Sequence, residues 1–364
     1  MPSEKRSRSI YFIVPAPMGV SPGQRFRFEH YLGALKNERL PYHISSFYTL
    51  QGWNALYAQG GALRKAFSVV RGFLKRIKDL FLVAGYSHVY IYREAAPLGP
   101  PFFEWVIAKV LRKKVVYDFD DAIWIPVVSE NNKIVKNLKC FFKVKKICKW
   151  ATIVTVGNTF LAEYARKQNQ QVVIVPTVVD TQKVHNKKKQ HTNDVPVIGW
   201  TGTHTTLKFL DIILPVLQAL QKDIKFTFLV IADTDPNLPL INYSFVKWNK
   251  DTEIEDLLKM DIGIMPLTDD DLSKGKCGFK AIQYMALGIP AVVSPVGVNS
   301  DIVQDGSNGF ICSTNNEWEK KLQILLLDVN ERIRVGENGK KTIEEKFSVA
   351  TTQNLFLGLF QTNT

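Results

Sequence analysis

The sequence is short of cysteine and of long apolar runs, and each shortage excludes a class of protein. Its 364 residues include four cysteines, none in a C-x-x-C pair. This argues against a zinc site or a disulfide framework and favours a reducing cytoplasm. No apolar run approaches the roughly 18 residues that span a bilayer. The apolar run at 10–14 follows a basic start but is too short for a signal peptide, so we predict a first strand there and expect a cytoplasmic protein.

The length and the charge distribution indicate two domains. The chain is too long for one typical core and suits two domains of roughly 150 to 200 residues. Its net charge of +13 is uneven, because residues 1–190 carry +19 and residues 191–364 carry −6. The two halves are therefore expected to face different partners. The segment 185–195 is polar and lacks periodicity, so it is predicted to contain the linker.

The first half opens with a strand, a loop rich in proline and glycine, and a helix. Arg25 and Arg27 lie where this helix is predicted to begin. The order is typical of a nucleotide-binding α/β domain, although no G-x-G-x-x-G is present and a dinucleotide fold is not supported. The alternative is that these arginines face solvent beside a turn.

Acidic residues follow two further predicted strands, at 88–92 and 114–117. In open α/β sheets, ligands bind outside the carboxyl ends of the strands, so these acids are candidate site residues. Alternatively, one or more of the aspartates cap the turn that follows the second strand. The four acids are Glu94, Asp118, Asp120 and Asp121.

Two basic stretches of the first half also carry apolar residues at helical spacing. Residues 62–83 form the clearest amphipathic helix, with apolar residues repeating at three and four and basic residues filling much of the remainder. Residues 133–149 combine seven lysines with a similar apolar pattern. Such helices can lie on an anionic membrane surface. Equally, each can pack its apolar stripe on the sheet and leave its charges in water.

The second half has two candidate anion sites, each at the start of a helix. After a predicted strand at 195–200, Gly202 and its flanking threonines offer N–H and hydroxyl donors to a phosphate. Further on, 274–299 reads K-G-K-C-G-F-K-A-I-Q-Y-M-A-L-G-I-P-A-V-V-S-P-V-G-V-N, which predicts a basic loop, a helix and a buried strand. Gly278 allows close approach to the helix N-terminus, and Lys274, Lys276 and Lys280 add charge. The alternative is an ordinary αβ unit with lysines on its solvated rim.

The stretch 274–299 resembles the C-terminal signature of family 4 glycosyltransferases, retaining sugar-nucleotide enzymes with the GT-B fold. Alignment on Met285, Ala286, Gly288 and Pro290 places Gln283 and Gly275 where that signature has two glutamates. The stretch is more similar to a variant branch with G-K-C-G-F-K-x-x-Q-Y-M-A-x-G-x-P, common among bacterial polysaccharide glycosyltransferases. The segment I-V-Q-D-G-S-N-G-F-I at 302–311 also resembles the family pattern.

The resemblance implies an α/β protein of GT-B architecture, with two Rossmann-like domains facing a central cleft. It divides the chain into an acceptor domain at 1–188, a nucleotide-sugar donor domain at 189–346, and a C-terminal helix at 347–364 that crosses back to the first domain. It implies that a histidine of the family is replaced by Asp120, and that Gln283 hydrogen-bonds the ribose. The candidate residues are, for catalysis, Asp120, Asp121, Lys276 and Lys280; for donor binding, Gly23, Gln24, Arg25, Gly202, Thr203, Lys208, Trp248, Lys274, Gly278, Phe279 and Gln283; and on the acceptor side, Glu94, Asp118 and Asn158.

The implied function is transfer of a sugar from a UDP- or GDP-sugar to a hydroxyl of a glycan or lipid-linked acceptor, with retention, in cell-surface polysaccharide synthesis. No metal and no cofactor are required, since the nucleotide-sugar is a substrate. The expected location is the cytoplasm, with an anionic membrane surface as a partner through 62–83 and 133–149. Two alternatives are a sugar-nucleotide epimerase of the same fold and a non-catalytic protein that binds anionic lipid or nucleic acid. No motif for specific nucleic-acid recognition is present.

Overall fold

The structure is a computed structural model that describes residues 8–58, 60–126 and 138–361. The chain divides into two compact units, one formed by Met1–Pro176 with Gln353–Thr364 and the other by Thr177–Thr352. Within the described ranges, no helix is both long enough and apolar enough to cross a membrane. The predicted basic stretch 133–149 is described only from residue 138 onward.

The first unit is a six-stranded parallel sheet with helices along its connections. Its strands are β1 (Ile10–Val14), β2 (Tyr42–Ser46), β3 (His88–Tyr92), β4 (Lys114–Phe119), β5 (Ile153–Val156) and β6 (Val172–Ile174). Its helices are α1 (Pro22–Arg25), a 3₁₀ turn (Glu29–Tyr31), α2 (Leu32–Asn37), α3 (Leu50–Tyr57), α4 (Ala62–Val83), α5 (Phe102–Trp105) continuing as a π-helix (Val106–Val110), α6 (Lys143–Trp150) and α7 (Thr159–Arg166). The strand order is β2-β1-β3-β4-β5-β6, and every pairing is parallel.

The second unit repeats this plan. Its strands are β7 (Val197–Thr201), β8 (Thr227–Ala232), β9 (Tyr243–Lys247), β10 (Ile262–Met265), β11 (Ala291–Val293) and β12 (Phe310–Ile311). Its helices are a 3₁₀ turn (His204–Phe209), α8 (Leu210–Asp223), α9 (Glu253–Leu257), α10 (Asp271–Lys274), α11 (Phe279–Ala286), α12 (Asn299–Ile302), α13 (Asn315–Leu327) and α14 (Val329–Lys346). The order is β12-β11-β10-β7-β8-β9, again all parallel.

Several strands are mostly apolar because helices cover both faces of a parallel sheet. Every residue of β1, β10 and β11 is buried. The predicted bounds of β1, β3 and α4 are confirmed, and the buried strand predicted within 274–299 is β11.

The last helix, α15 (Val349–Gly358), begins in the second unit, and residues from Gln353 onward belong to the first. There, Phe356 stacks on Tyr31 with ring centroids 4.3 Å apart. Phe360 lies 6.3 Å from Tyr90, at the centre of the first sheet. The C-terminal residues therefore complete the aromatic core of the first unit.

The segment 185–195, predicted to contain the linker, is held within the second unit by one buried acid. Asp261 precedes β10 and accepts hydrogen bonds from Asn193 Nδ2 at 2.6 Å and from the Val197 N–H at 3.0 Å. Lys189 Nζ and His191 Nδ1 each lie 3.1 Å from its carboxylate. Burial acts to raise the pKa of Asp261, but these partners outweigh it and lower the pKa to about 2. Polar residues without periodicity are ordered here because one carboxylate binds several of them.

Candidate functional site

The loop after β7 is shaped by a close approach of its backbone to Trp200. A Cβ atom on Gly202 would lie 2.2 Å from the Trp200 ring, so only glycine fits without a shift of the indole. The Gly202 N–H donates to the Ile231 carbonyl at 3.0 Å. Gly202 therefore shapes the loop, and its N–H is engaged within the sheet edge rather than directed at a phosphate.

Thr203 is the N-cap of the 3₁₀ turn and forms a capping box with Thr206. The Thr203 N–H donates to Thr206 Oγ1 at 3.1 Å, and the two hydroxyls of Thr203 and Thr205 lie 2.9 Å apart. The His204 N–H donates to Asp233 at 2.6 Å. The predicted donors of this loop thus fix its conformation and position the residues that follow.

Three lysines converge on two aromatic rings at this edge of the second sheet. Lys208 Nζ and Lys276 Nζ lie 5.4 and 5.8 Å from the centroid of the Phe209 ring, so the two ammonium groups are at most about 11 Å apart. Lys280 Nζ lies 5.4 Å from the centroid of the Trp200 ring. Because β7 is adjacent to β10, the loops after these strands meet here. The result is a concentration of positive charge supported by ring faces.

The N-terminus of α11 opens beside these lysines. Gly278 is its N-cap, with φ of +68°, and a Cβ there would lie 2.2 Å from Ile302 Cδ1. Both the positive φ and the contact require glycine. No side chain caps this helix, and its first turn has no acidic residue. The positive end of the helix dipole, with Lys276 and Lys280, therefore suits an anion.

Two buried polar atoms near this helix have no hydrogen-bond partner among the described residues. Gln283 and Asn299 are 2% and 1% exposed, yet Gln283 Nε2 and Asn299 Oδ1 are unsatisfied. Asn299 Oδ1 lies 3.6 Å from the position of a Cβ on Gly278, at the helix start. Unsatisfied buried groups of this kind are rare and costly, which marks them as candidates for ligand contact.

Two other predicted donor-binding residues of the second unit have partners close by. Lys274, the last residue of α10, pairs with Asp269 at 3.1 Å. Trp248 follows β9 and donates its indole N–H to the buried Glu253 at 3.2 Å. The Trp248 ring is half-buried, and this bond fixes its orientation. Phe279 is the first residue of α11.

In the first unit, a second polar cluster lies at the carboxyl ends of β3 and β4. Asp120 Oδ1 accepts hydrogen bonds from Tyr92 Oη at 2.8 Å and from Arg93 Nε and Nη2 at 2.9 and 2.7 Å. Arg93 Nη2 also lies 3.0 Å from Asp121. Burial acts to raise the pKa of Asp120, but the charges of Arg93 and Arg27 outweigh it and hold the pKa below its usual value. Asp120 is therefore an anion over the ordinary pH range.

Gly23, in α1, is packed directly on this cluster. A Cβ atom at Gly23 would lie 2.5 Å from Tyr92 Oη and 3.0 Å from Asp120 Oδ2. The predicted loop residue Gly23 and the predicted acid Asp120 are thus brought together, although 97 positions separate them. This contact explains why the first turn of α1 carries a glycine.

The other residues predicted in the first unit have structural partners. Asp118 is fully buried and forms a bidentate ion pair with Arg27. Glu94 pairs with Lys143 at 2.6 Å. Asn158 is the N-cap of α7 and accepts the Leu161 N–H at 2.9 Å.

Gln24 and Arg25 complete α1. Gln24 is buried and holds the preceding loop, since its side chain accepts from the Ala16 N–H and donates to the Ala16 carbonyl at 3.2 and 3.0 Å. Arg25 is partly exposed, with its guanidinium 4.9 Å from the Phe26 ring centroid. Of the two, Arg25 has the group that can meet a ligand.

Four residues of these clusters were absent from the predicted site: Arg93, Tyr92, Trp200 and Phe209. Arg93 adopts a positive φ of 59°, which is uncommon outside glycine and marks strain near functional clusters. Its place directly after a predicted strand was the available sequence signal. The three aromatic residues gave no such signal, because an aromatic residue in an apolar segment is most often a packing residue.

Within the part of the chain that the structure describes, no group of three or more histidine, cysteine, aspartate or glutamate residues is arranged to hold a metal ion.

The two parallel six-stranded sheets match the GT-B fold of solved glycosyltransferases. Anabaena HepE in complex with UDP and glucose superimposes with a TM-score of 0.65 and 14% identity over 96% of this chain and 98% of that one. Residues 181–342 match the family described as Glycosyl transferases group 1. The matched range lies entirely within the second unit.

Two curated relatives extend the likeness in sequence. An uncharacterized glycosyltransferase of Methanocaldococcus jannaschii is 28% identical over 221 residues, which is 58% of this chain and 61% of the relative. The capsular polysaccharide biosynthesis glycosyltransferase CapM of Staphylococcus aureus is 23% identical over 259 residues, 68% of this chain and 62% of the relative. The matches thus span about three fifths of the length of each relative.

Proposed function

We propose that this protein is a glycosyltransferase that moves a sugar from a UDP- or GDP-sugar to a hydroxyl group of a glycan or lipid-linked acceptor. The observation that carries this proposal is the convergence of Lys208, Lys276 and Lys280 at the uncapped N-terminus of α11. It lies inside the range that matches the group 1 family. HepE, with the same fold, binds UDP and glucose, which supports a nucleotide-sugar as the donor.

The reaction sets what the second unit must do. The bond between the sugar carbon and the diphosphate oxygen breaks, and a bond from that carbon to the acceptor oxygen forms. The leaving diphosphate gains negative charge and takes up the proton that the acceptor hydroxyl loses. Lys276, Lys280 and the first amides of α11 would stabilise the diphosphate as that charge develops. The unsatisfied Gln283 Nε2 would donate to the ribose.

We further propose that the first unit binds the acceptor near Asp120. Arg93 keeps this carboxylate ionised, and an acid with a low pKa is a weak base. Asp120 would therefore orient the acceptor by accepting a hydrogen bond from its hydroxyl rather than by removing the proton. Asp121, partly exposed beside it, would contact the same substrate.

By resemblance we propose retention of configuration, a role in cell-surface polysaccharide synthesis and work at the inner face of the plasma membrane. CapM, named as a capsular polysaccharide enzyme, supports the second point. The +19 charge of residues 1–190 supports the third.

Calorimetric titration with UDP, GDP and their monophosphates tests the donor site. Lys276→Ala and Lys280→Ala should each weaken binding of the preferred diphosphate about 10- to 150-fold, the value of one charge-assisted hydrogen bond. Binding of the monophosphate should change much less. Lys225→Ala is the matched control, because this exposed lysine precedes β8, at the amino end of the sheet.

Mass spectrometry of reactions with UDP- and GDP-sugars tests the activity. Transfer to an added acceptor, or slow hydrolysis of the donor, is the expected result. A new sugar-nucleotide formed from donor alone would instead identify an epimerase. Absence of both binding and turnover for every donor would refute the proposal.

A further inference from the structure

The longest helix of the first unit has its apolar stripe on the outside. In α4, six apolar side chains recur at helical spacing, and all are exposed to solvent. At about 100° per residue they occupy one side of the helix, opposite its buried residues. The six are Leu63, Phe67, Val70, Leu74, Ile77 and Phe81. The buried set is Gly72, Arg76, Asp79 and Val83.

Polar contacts fix this orientation. Arg76 is buried and donates to the carbonyls of Ala95 at 2.6 Å and Val14 at 2.7 Å, and it pairs with Asp79 at 2.6 Å. Asp79 also accepts from Tyr11 Oη at 2.8 Å. A rotation that buried the apolar stripe would break each of these contacts. The alternative in which the stripe packs on the sheet is therefore wrong, and the outward apolar face is built into the fold.

The inward face also includes a glycine that permits close packing. A Cβ at Gly72 would lie 2.3 Å from the Phe47 ring, so the helix approaches the sheet closely along its polar side. The 22 residues of α4 give an apolar edge about 33 Å long.

Neighbouring elements extend this surface. Phe73 of α4 lies 6.0 Å from Phe103 of α5, and α5 also carries the exposed rings of Phe102 and Trp105. Helix α6 lies beside α5, and the exposed Phe142 directly precedes α6 in the chain. Apolar side chains thus continue from α4 across α5 to the start of α6.

Basic residues border this surface on both sides. Arg64, Arg71 and Lys78 are exposed and recur every seven residues, which places them in a row along one flank of the apolar stripe. On the far side, α6 has three exposed lysines, Lys145, Lys146 and Lys149. Lys146 Nζ lies 5.1 Å from the Phe142 ring centroid. No acidic residue lies among the exposed positions of α4 or α6.

We propose that this face of the first unit, from α4 across α5 to α6, binds an anionic phospholipid membrane with α4 lying in the plane of its surface. An outward apolar stripe bordered by cationic side chains matches the boundary between acyl chains and anionic headgroups. The positive charge favours such a bilayer over a second copy of this chain, because two copies would bring the two basic borders together. No residue of this surface is among those proposed for the donor site, so the two proposals can fail independently.

Sedimentation with vesicles of phosphatidylcholine alone, or with about a third of phosphatidylglycerol, tests the proposal. The protein should bind the anionic vesicles and be released as salt is raised. Phe67→Gln and Leu74→Gln should each lower the partition coefficient about tenfold. Arg64→Gln, Arg71→Gln and Lys78→Gln should each lower it about fivefold, for anionic vesicles only.

Leu327→Gln is the matched control for Leu74→Gln. Leu327 is 66% exposed and Leu74 63%, but Leu327 ends α13 in the second unit. The control should bind vesicles as the parent protein does, and donor affinity and melting temperature should be unchanged in all these variants. The proposal would be overturned if the parent protein did not bind anionic vesicles, or if the Leu74→Gln variant bound them as the parent does. The proposal would also be overturned if sedimentation velocity showed a dimer that Leu74→Gln dissociates and neither protein bound vesicles.

Discussion

The buried pair of Arg27 and Asp118 is predicted to stabilise the first unit rather than to contact substrate. Arg27 Nε donates to Asp118 at 3.1 Å, a second guanidinium nitrogen donates to the other carboxylate oxygen, and Arg27 Nη1 binds the Val175 carbonyl. Thr155 Oγ1 donates to Asp118 at 2.6 Å. The two side chains are 1% and 0% exposed. The pair therefore ties the segment after α1 to β4 and to the residue that follows β6.

Arg27→Met tests this role. It leaves the Asp118 carboxylate buried with neutral hydroxyl groups such as that of Thr155 beside it and no cation, and breaking a buried pair in this way costs about 3–5 kcal/mol. For a unit of this size, each kcal/mol shifts the melting temperature by roughly 2–4 °C, so a loss of about 6–20 °C is expected. Differential scanning calorimetry measures it, because the two units need not melt as one transition.

The double variant Arg27→Met/Asp118→Leu removes both charges and should be more stable than Arg27→Met alone, since it leaves no unpaired buried charge. A loss of less than about 2 °C for Arg27→Met would refute the reasoning. Additive losses in the double variant would do the same. If instead Asp118→Asn left the melting temperature unchanged and raised only the KM for acceptor, Asp118 would be a substrate contact.

Three further predictions concern residues near the candidate sites and one buried acid. Gly23→Ala should lower kcat/KM about tenfold, because the new Cβ would lie 2.5 Å from Tyr92 Oη and displace it from Asp120. The melting temperature should stay within about 2 °C of the parent. Steady-state transfer assays measure the change in kcat/KM. Arg93→Met removes the charge that holds the pKa of Asp120 low, so burial should then raise that pKa. The acid limb of the profile of transfer rate against pH should therefore move to higher pH. An acid limb at the same pH as in the parent would contradict this prediction. Because the folded-state pKa of Asp261 is lowered to about 2, its stabilisation is present above about pH 4 and is lost as pH falls toward 2. Asp261→Asn should remove about 1–2 kcal/mol of that pH dependence, measured as the urea midpoint of the second unit against pH.

The sequence predicted the parts of the fold that depend on local pattern. β11 is a short, wholly apolar strand, and the sequence predicted it as buried because a parallel sheet is covered on both faces. The helix end at Gly288 also follows, since its φ of +72° is the conformation in which glycine terminates helices. The lysines around Gly278 were recognisable because a basic loop before a helix has a direct electrostatic meaning.

The sequence could not show which polar residues find partners far along the chain. D-F-D-D presents three aspartates alike, but Asp118 meets Arg27, 91 residues earlier, whereas Asp120 meets Arg93. The period of α4 predicts a helix without saying which side is inward. That choice depends on Arg76 reaching carbonyls of β1 and of the loop after β3, a tertiary effect absent from the local pattern.

Gln283 gives a physical reason why the second unit can lack the two acids of the signature it resembles. A glutamate at a position only 2% exposed would carry a charge that is costly to bury, and it could only accept hydrogen bonds. Glutamine is neutral there and presents an unsatisfied donor, Nε2. With glycine at 275, the loop also has no acid to offset Lys276 and Lys280. The exchange therefore increases the positive potential at the start of α11, and under the proposed function it would offer the ribose a donor in place of an acceptor.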